Sequence, residues 1–310
     1  MKFIQTLTTI KDYPLAAYMA GFLEADGALA PRRKKGVIKT YELHFAFNKD
    51  DLVFATFLKD YFNMGQITIK SYEHSITWSI TSIGNVINFL SFINGFLRGP
   101  KTVTLWQALD FLNKKFDLSI PLLPINNSPI LSNAWLAGFS DGDSTFQISL
   151  SKEEPNTVSL NPYYCLEVAE FYIKHQEEAF INHQSNSLYM QPLADALNVK
   201  LERVERVSSL RVRASRVDNT KLLIDYFTQY PLFSTKYINY LDWVKVIALR
   251  NKAKSIGDPL YTIYEEVLGI KNNYNSKRDP NTYTWHHLDN FYKLPSDYPN
   301  HQIKLWKRKK

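Results

Sequence analysis

Asp26 and Asp143 hold the same place in two similar stretches, "MAGFLEADG" at residues 19–27 and "LAGFSDGDS" at residues 136–144. Ala20, Gly21 and Phe22 recur as Ala137, Gly138 and Phe139, and Glu24 recurs as Asp141. Each stretch reads as the end of a helix, where the macrodipole opposes a negative charge at a cost of about 0.3–1 kcal/mol. If the two small-residue faces pack together, both carboxylates meet at the axis. Two like charges about 4 Å apart repel by roughly 4 kcal/mol at an effective dielectric near 20. A divalent cation between them reverses the sign of that interaction. Oxygen ligands with no nearby His or Cys suit Mg²⁺ or Ca²⁺ better than Zn²⁺. Glu24 and Asp141 lie two residues earlier, about 200° round the helix, and face elsewhere. They read as structural acceptors for backbone at the helix interface.

The elements that must position these acids follow from the pattern around them. Asp12 can cap the first helix and Pro14 sits in its first turn; Ser132 or Asn133 can cap the second. Leu15, Tyr18, Met19 and Phe22 have the spacing of one apolar helix face. Ala17 and Gly21 are four apart, as are Ala134 and Gly138, which lets two helix backbones approach closely. Gly27 suits a helix stop, and Ser144 takes its place in the second copy.

Strands follow each motif. From Val37 to Asn48, Val37, Tyr41, Leu43, Phe45 and Phe47 share one face, and Ile38, Thr40, Glu42, His44, Ala46 and Asn48 the other. "QITIKSY" and "SITWSIT" form a hairpin with Ile67, Ile69, Ile76, Trp78 and Ile80 inward. In the second half, Phe146, Ile148 and Leu150 and then Leu210, Val212 and Ala214 give the same alternation. Helical stretches fall near 50–62, 84–95, 103–115, 188–197, 218–228 and 236–250. Each half is thus helix, hairpin, helix, hairpin, helix: an α+β unit with one sheet face wet. The proline-bearing segment 117–132 reads as a linker between a repeat at 1–116 and a repeat at 133–250, with an extension at 251–310.

With 310 residues, 45% apolar and 14% aromatic, the chain can bury a substantial core. The formal charge of +7 favours a polyanion, nucleic acid before an acidic membrane surface. The lone cysteine, Cys165, excludes an intrachain disulfide and a thiolate zinc cluster, and reads as a small buried side chain. No run approaches the roughly 20 apolar residues of a membrane span, so no membrane partner is expected. The first residues lack the apolar core of a secretory signal and the arginines of a transit peptide; the protein is expected to stay where it is made or to have lost its leader.

The wet sheet faces are rich in side chains that hydrogen-bond to base edges and phosphates. In the first half the candidate nucleic-acid contacts are Lys39, Thr40, Glu42, His44, Gln66, Thr68, Lys70, Tyr72, Ser75, Thr77 and Ser79. In the second half they are Gln147, Ser149, Arg211, Arg213 and Ser215.

Both motif stretches resemble the LAGLIDADG motif of the homing endonucleases, and the resemblance covers about residues 13–250. It implies a single-chain, pseudo-symmetric enzyme of two subdomains, each with a saddle-shaped antiparallel sheet for DNA and a motif helix at the central interface. The family's metal-binding acid maps to Asp26 and Asp143, with the preceding Ala25 and Gly142 completing the expected metal set. The resemblance also implies an active-site lysine in each repeat, Lys101 in "FLRGPK" and Lys236 in "PLFSTK". A polar residue, commonly Gln, often ends the second strand in the family; here those slots hold Asn48 and Glu170. The implied activity is Mg²⁺-dependent cleavage of both strands of a long, asymmetric duplex, leaving 3′ overhangs, with Ca²⁺ as a non-productive substitute and Mn²⁺ as a further candidate. The implied partners are double-stranded DNA and, as some relatives are maturases, the protein's own intron RNA, with no obligate protein partner. A splicing factor, or a DNA-binding protein of the same fold without the chemistry, are the alternatives. Abundant Tyr, Phe, Asn, Ile and Lys fit A·T-rich codons and hence an organellar genome, the mitochondrion first.

In the tail, "KNNYNSKRD" resembles the closing segment of many family members. The last ten residues hold five Lys or Arg and read as a phosphate-touching or frayed end. "WHH" at 285–287 is expected on the surface, because two adjacent histidines cannot face one site.

Overall fold

The computed structural model describes residues 13–70, 75–154, 157–172 and 185–294. Expectations for Asp12, Tyr72, the turn joining "QITIKSY" to "SITWSIT" and the basic last ten residues fall outside that range, as does the side chain of Lys70. The described residues cluster into two units. One takes the chain up to Phe139 together with Tyr172, Ser185 and the chain from Phe291; the other takes Ser140–Phe171 and Asn186–Asn290.

The first unit opens with α1 (Pro14–Asp26), which has proline at its first position, as its fixed φ favours. Every residue from Leu15 to Glu24 is buried, so α1 is a core helix and not an amphipathic surface one. β1 (Gly27–Lys34) follows without a break and turns at Lys35–Gly36 into β2 (Val37–Asn48). Both turn residues have positive φ, 50° and 78°, the geometry that suits the twist of a two-residue hairpin. α2 (Leu52–Phe62), β3 (Gln66–Lys70), β4 (Ser75–Ile80), α3 (Ile83–Ile93) and α4 (Lys101–Phe116) complete the repeat. The sheet is antiparallel with strand order β1-β2-β4-β3.

Its inner face is aromatic. Phe45 stacks on Trp78 at 5.1 Å and on Phe22 of α1 at 5.7 Å, which ties the motif helix to the sheet. Two expected inward residues are exposed: Val37 (57%), beside the hairpin turn, and Ile69 (59%), on the edge strand. β1 itself escapes the sequence reading, since "GALAPRRK" has neither alternation nor strand-formers.

Gly21 and Gly138 explain the small-residue spacing. A Cβ on Gly21 would lie 2.0 Å from the Trp135 carbonyl oxygen, and one on Gly138 would lie 1.9 Å from that of Tyr18. Only glycine permits the two backbones to touch at these points. Asn133 caps the second motif helix, α5 (Trp135–Asp143), by accepting from the Trp135 N–H at 3.0 Å.

The second unit repeats the plan with β5 (Ser144–Glu154), β6 (Thr157–Ala169), α6 (Ser187–Ala196), β7 (Leu201–Val204), β8 (Ser209–Ala214), α7 (Val217–Gln229) and α8 (Lys236–Ile256). Its strand order is β5-β6-β8-β7, the same as in the first sheet, so the duplication extends from the motif to the topology. The fold is α+β, as expected. Beyond it, α9 (Tyr264–Asn272) packs against β5, with Lys271 Nζ donating to the Leu150 carbonyl at 3.2 Å. The chain from Phe291 belongs to the first unit, where Phe291 meets Tyr18, Phe54, Phe57 and Tyr61 edge-on. Tyr61 then donates to the Tyr292 carbonyl at 2.8 Å and accepts from the Leu294 N–H at 2.9 Å. Among the described residues no helix is long and apolar enough to cross a membrane.

Candidate active site and nucleic-acid face

Asp26 is the last residue of α1, half-buried, at the head of a concavity of about 430 Å³ on the outward face of the first sheet. Ala28, His44, Ala46, Thr68, Thr77 and Ser79 line the rest of it. Lys101 is the first residue of α4, and its ammonium sits on the end of α1. Nζ donates to the carbonyls of Leu23 (2.9 Å), Ala25 (3.2 Å) and Gly27 (2.6 Å). These include carbonyls that a helix end leaves without a partner. The cation also offsets the negative dipole end, so the C-terminal position of Asp26 does not by itself demand a metal; this revises the sequence argument.

The second unit repeats the arrangement. Asp143 ends α5 and is exposed. Lys236 opens α8, and its Nζ donates to the carbonyls of Ser140, at 3.2 Å, and Gly142. Ser140 and Gly142 stand in the second motif where Leu23 and Ala25 stand in the first.

The other two motif acids hold the loops that deliver the lysines. Glu24, 7% exposed, accepts from the N–H groups of Arg98 (2.8 Å) and Gly99 (2.6 Å) and from the indole of Trp135 (2.7 Å). Burial pushes its carboxyl up; those donors and Lys101 pull it back in part. Asp141, 4% exposed, accepts from the N–H groups of Phe233 (2.7 Å) and Ser234 (3.1 Å) and from the Ser234 hydroxyl (2.5 Å). Both are acceptors for backbone, as the sequence indicated.

For a metal the donors are all hard oxygens, which suits Mg²⁺. Among the described residues, His, Cys, Asp and Glu nowhere form a group of three or more that could hold an ion. The Ala25 and Gly142 carbonyls already accept from the lysines, although a carbonyl keeps a second lone pair. The residues therefore fit a cation whose shell is completed by phosphate oxygens and water.

Register decides where the expected DNA contacts lie. On the first sheet Ala28, His44, Ser79 and Gln66 form one outward row, and Ala46, Thr77 and Thr68 form the next. Asn48 and Ser75 face each other in the row beyond, which ends at Lys70. His44 Nδ1 lies 2.9 Å from the Ser79 hydroxyl, and Glu42 bridges Arg32 (3.2 Å) and His44 (3.6 Å). Two expected contacts are misplaced. Thr40 is buried (6% exposed), with its hydroxyl on the Tyr41 carbonyl. Lys39 lies with Asp110, Phe111, Lys114 and Lys115 of α4 around a separate hollow.

On the second sheet Thr145, Cys165 and Arg213 form one row, and Glu167, Arg211 and Glu202 form another. Gln147 faces Tyr163 and the exposed Ser149 faces Asn161. Glu167 binds Arg211 at 2.7 Å and accepts from the Ser209 hydroxyl at 2.6 Å, while Glu202 stands 3.8 Å from Arg211. The Arg213 guanidinium stacks 3.8 Å from the centre of the Tyr163 ring. Ser215 lies just past β8, with its carbonyl accepting from Arg250. Cys165 is half-buried on this face, not enclosed in the core. Tyr163 and Cys165 are positions that sequence reasoning missed; the alternation of β6 would have placed both on the wet face.

Asn48 ends β2, and its side chain accepts from the Asp50 N–H at 3.2 Å, capping the turn that follows. Gly27 pairs with Phe45 and Ser144 with Leu166, so the partner of Asn48 in the second repeat is Ala169 and not Glu170. Glu170 lies one residue beyond the strand, buried against Arg203 at 2.5 Å.

The family model described as LAGLIDADG endonuclease matches twice, at residues 19–112 and 136–247. The chain is 30% identical to the intron-encoded DNA endonuclease aI3 of Saccharomyces cerevisiae, over 90% of this chain and 73% of that protein. It is 29% identical to the probable intron-encoded endonuclease 4 of Neurospora crassa, over 83% of this chain and 44% of that protein. The I-LtrWI LAGLIDADG homing endonuclease, solved bound to target DNA, superposes with a TM-score of 0.67 at 15% identity, over 86% of this chain and 99% of that one. The I-SmaMI endonuclease, solved with cleaved DNA, gives 0.63 at 21% identity, over 85% and 98%. With its two motif helices, two matching sheets and repeated lysine contacts, the chain belongs to the LAGLIDADG endonuclease family.

Proposed function

We propose that the protein is a site-specific endodeoxyribonuclease that cuts both strands of a long, asymmetric DNA duplex and leaves 3′ overhangs. The observation that carries this reading is the repeated pair at the motif helix ends, Asp26 with Lys101 and Asp143 with Lys236, each beside its own polar sheet face. Each sheet face docks one half of the target. The unlike side chains on the two faces, His44 and Ser79 against Arg211 and Arg213, make the site asymmetric.

Asp26 and Asp143 would each supply a carboxylate to Mg²⁺ in its own repeat. When bound there, the ion supplies a Lewis acid and a water of lowered pKa. Lys101 and Lys236 place a fixed positive charge where the phosphorane becomes more anionic. One acid per repeat assigns one strand to each half.

The relatives named as intron-encoded support a role in intron mobility. A further relative named as a cox1 intron-2 protein of Schizosaccharomyces pombe, 24% identical, supports an organellar setting, the mitochondrion first.

The test is cleavage of a supercoiled plasmid carrying the host-gene sequence without its intron. Linear product with Mg²⁺, none in EDTA and none from Asp26→Asn supports the reading. Tight binding of the intron RNA with no DNA cut in Mg²⁺ or Mn²⁺ overturns it in favour of a splicing role.

A further inference from the structure

The segment Trp285–His287 lies against the second lysine loop. The His287 ring lies 4.4 Å from that of Tyr237, at 22°, and 5.6 Å from that of Trp285, at 26°, so three rings stack. His287 Nε2 lies 3.0 Å from the Phe233 carbonyl oxygen. A carbonyl only accepts, so Nε2 carries the proton.

Phe233 is the residue whose N–H donates to Asp141. One residue on, Ser234 gives both its N–H and its hydroxyl to the same carboxylate, and the Lys236 N–H donates back to the Ser234 hydroxyl at 3.2 Å. Tyr237, under the imidazole, is the second residue of α8 and immediately follows Lys236.

We propose that His287 is a positioning residue for Lys236: through the Phe233 carbonyl and the Tyr237 ring it fixes the turn from which that lysine reaches the end of the second motif helix. The proposal rests on the nuclease reading above.

The first repeat supplies an independent comparison. There Glu24 holds the Arg98 and Gly99 N–H groups as Asp141 holds those of Phe233 and Ser234. The carbonyl side is held by the linker, whose Asn126 N–H donates to the Leu97 carbonyl at 2.8 Å; the Arg98 guanidinium donates in the other direction, to the Ser128 carbonyl at 2.6 Å. Each lysine turn thus has a motif acid on its N–H groups and a brace from outside the repeat on a neighbouring carbonyl. In the second repeat His287 is that brace. Burial pushes its imidazole below the usual histidine value, while the Phe233 carbonyl and the Asp141 carboxylate draw it back and His286 opposes them.

The experiment uses the full chain, an end-labelled duplex spanning the intronless host-gene junction, and Mg²⁺, with each strand read separately. His287→Phe keeps the ring stack and removes the N–H. It should slow one strand about fivefold, so that nicked duplex accumulates. The other strand's rate and the affinity for the same duplex in Ca²⁺ should stay at the parent's values, and His287→Gln, which restores an N–H, should recover much of the rate. Equal slowing of both strands, or no change in either, overturns the proposal while leaving the nuclease reading intact. A parent protein that cuts neither strand removes both.

Discussion

The Lys101 ammonium lies 2.6 Å from the Gly27 carbonyl oxygen, against the end of the helix that Asp26 closes. One cation thus satisfies a helix terminus and stands beside the acid that terminus presents. Lys101→Met should therefore affect two measurements. Denaturant melts should show a loss of about 1 kcal/mol from the uncapped carbonyls. Cleavage should fall by about 10²–10³-fold if the charge also serves the transition state. Loss of stability with unchanged cleavage would confine Lys101 to capping.

Gly21 faces the Trp135 carbonyl with no room for a side chain. Gly21→Ala should cost about 3 kcal/mol or prevent folding, because the neighbouring atom is backbone and cannot rotate away. Gly36 has open space around the position a Cβ would take. The cost of Gly36→Ala should be confined to its positive φ and stay at about 1 kcal/mol. Thermal melts of the two variants compare them directly.

Glu24 accepts three hydrogen bonds in a buried setting. Glu24→Gln replaces one acceptor oxygen by a donor facing N–H groups, and should cost about 1–3 kcal/mol. Asp141→Asn should do the same to the second lysine turn. Glu24→Ala combined with Trp135→Phe gives a double-mutant cycle, and a coupling energy near zero there would show that the indole bond contributes little.

Arg211 is held by Glu167 and Glu202, and Arg213 is stacked on Tyr163. Oriented guanidinium groups suit bidentate recognition of guanine. Arg211→Ala should relax base preference at one position of the second half-site, with a loss of about 1–3 kcal/mol for the preferred base. A selection for cleaved sites reads this. Uniformly weakened binding at every base would mark Arg211 as a phosphate contact.

The same pair gives a pH dependence. The Ser209 hydroxyl and Arg211 hold the Glu167 carboxyl below its ordinary value of 4.5. The unfolded chain therefore binds this proton more readily than the folded one. The pair's stabilisation is complete above the ordinary value and fades as pH falls through the depressed one. Glu167 is 34% exposed, so the effect is small. Glu167→Gln should lose less stability than the parent as pH falls below about 5 in otherwise equal buffers.

The motif helices and the long alternating strand β2 were legible because their signals are local, whereas the lysines were marked only by the family resemblance. Helical spacing gives α1, and the two-residue period gives β2 and β4. β1 was not, because a strand that begins at a helix stop and carries Pro31 and three cations looks like a loop. Thr40 and Ile69 were misplaced for a related reason. Periodicity assigns a face but says nothing of strand edges or of what covers the face. Glu170 was a register error of one residue, which only the strand pairing resolves. His287 left no local mark, as its partner carbonyl is 54 residues away in sequence.

The unequal bracing of the two lysine turns limits what an engineer can do with the duplication. A protein built by copying one repeat twice would inherit matched helices and sheets. It would still lack one prop, since residues 126–128 serve the first lysine and residue 287 serves the second. The two halves are interchangeable in topology and not in their supports, so a working chimera has to carry the foreign prop along with the repeat it came from.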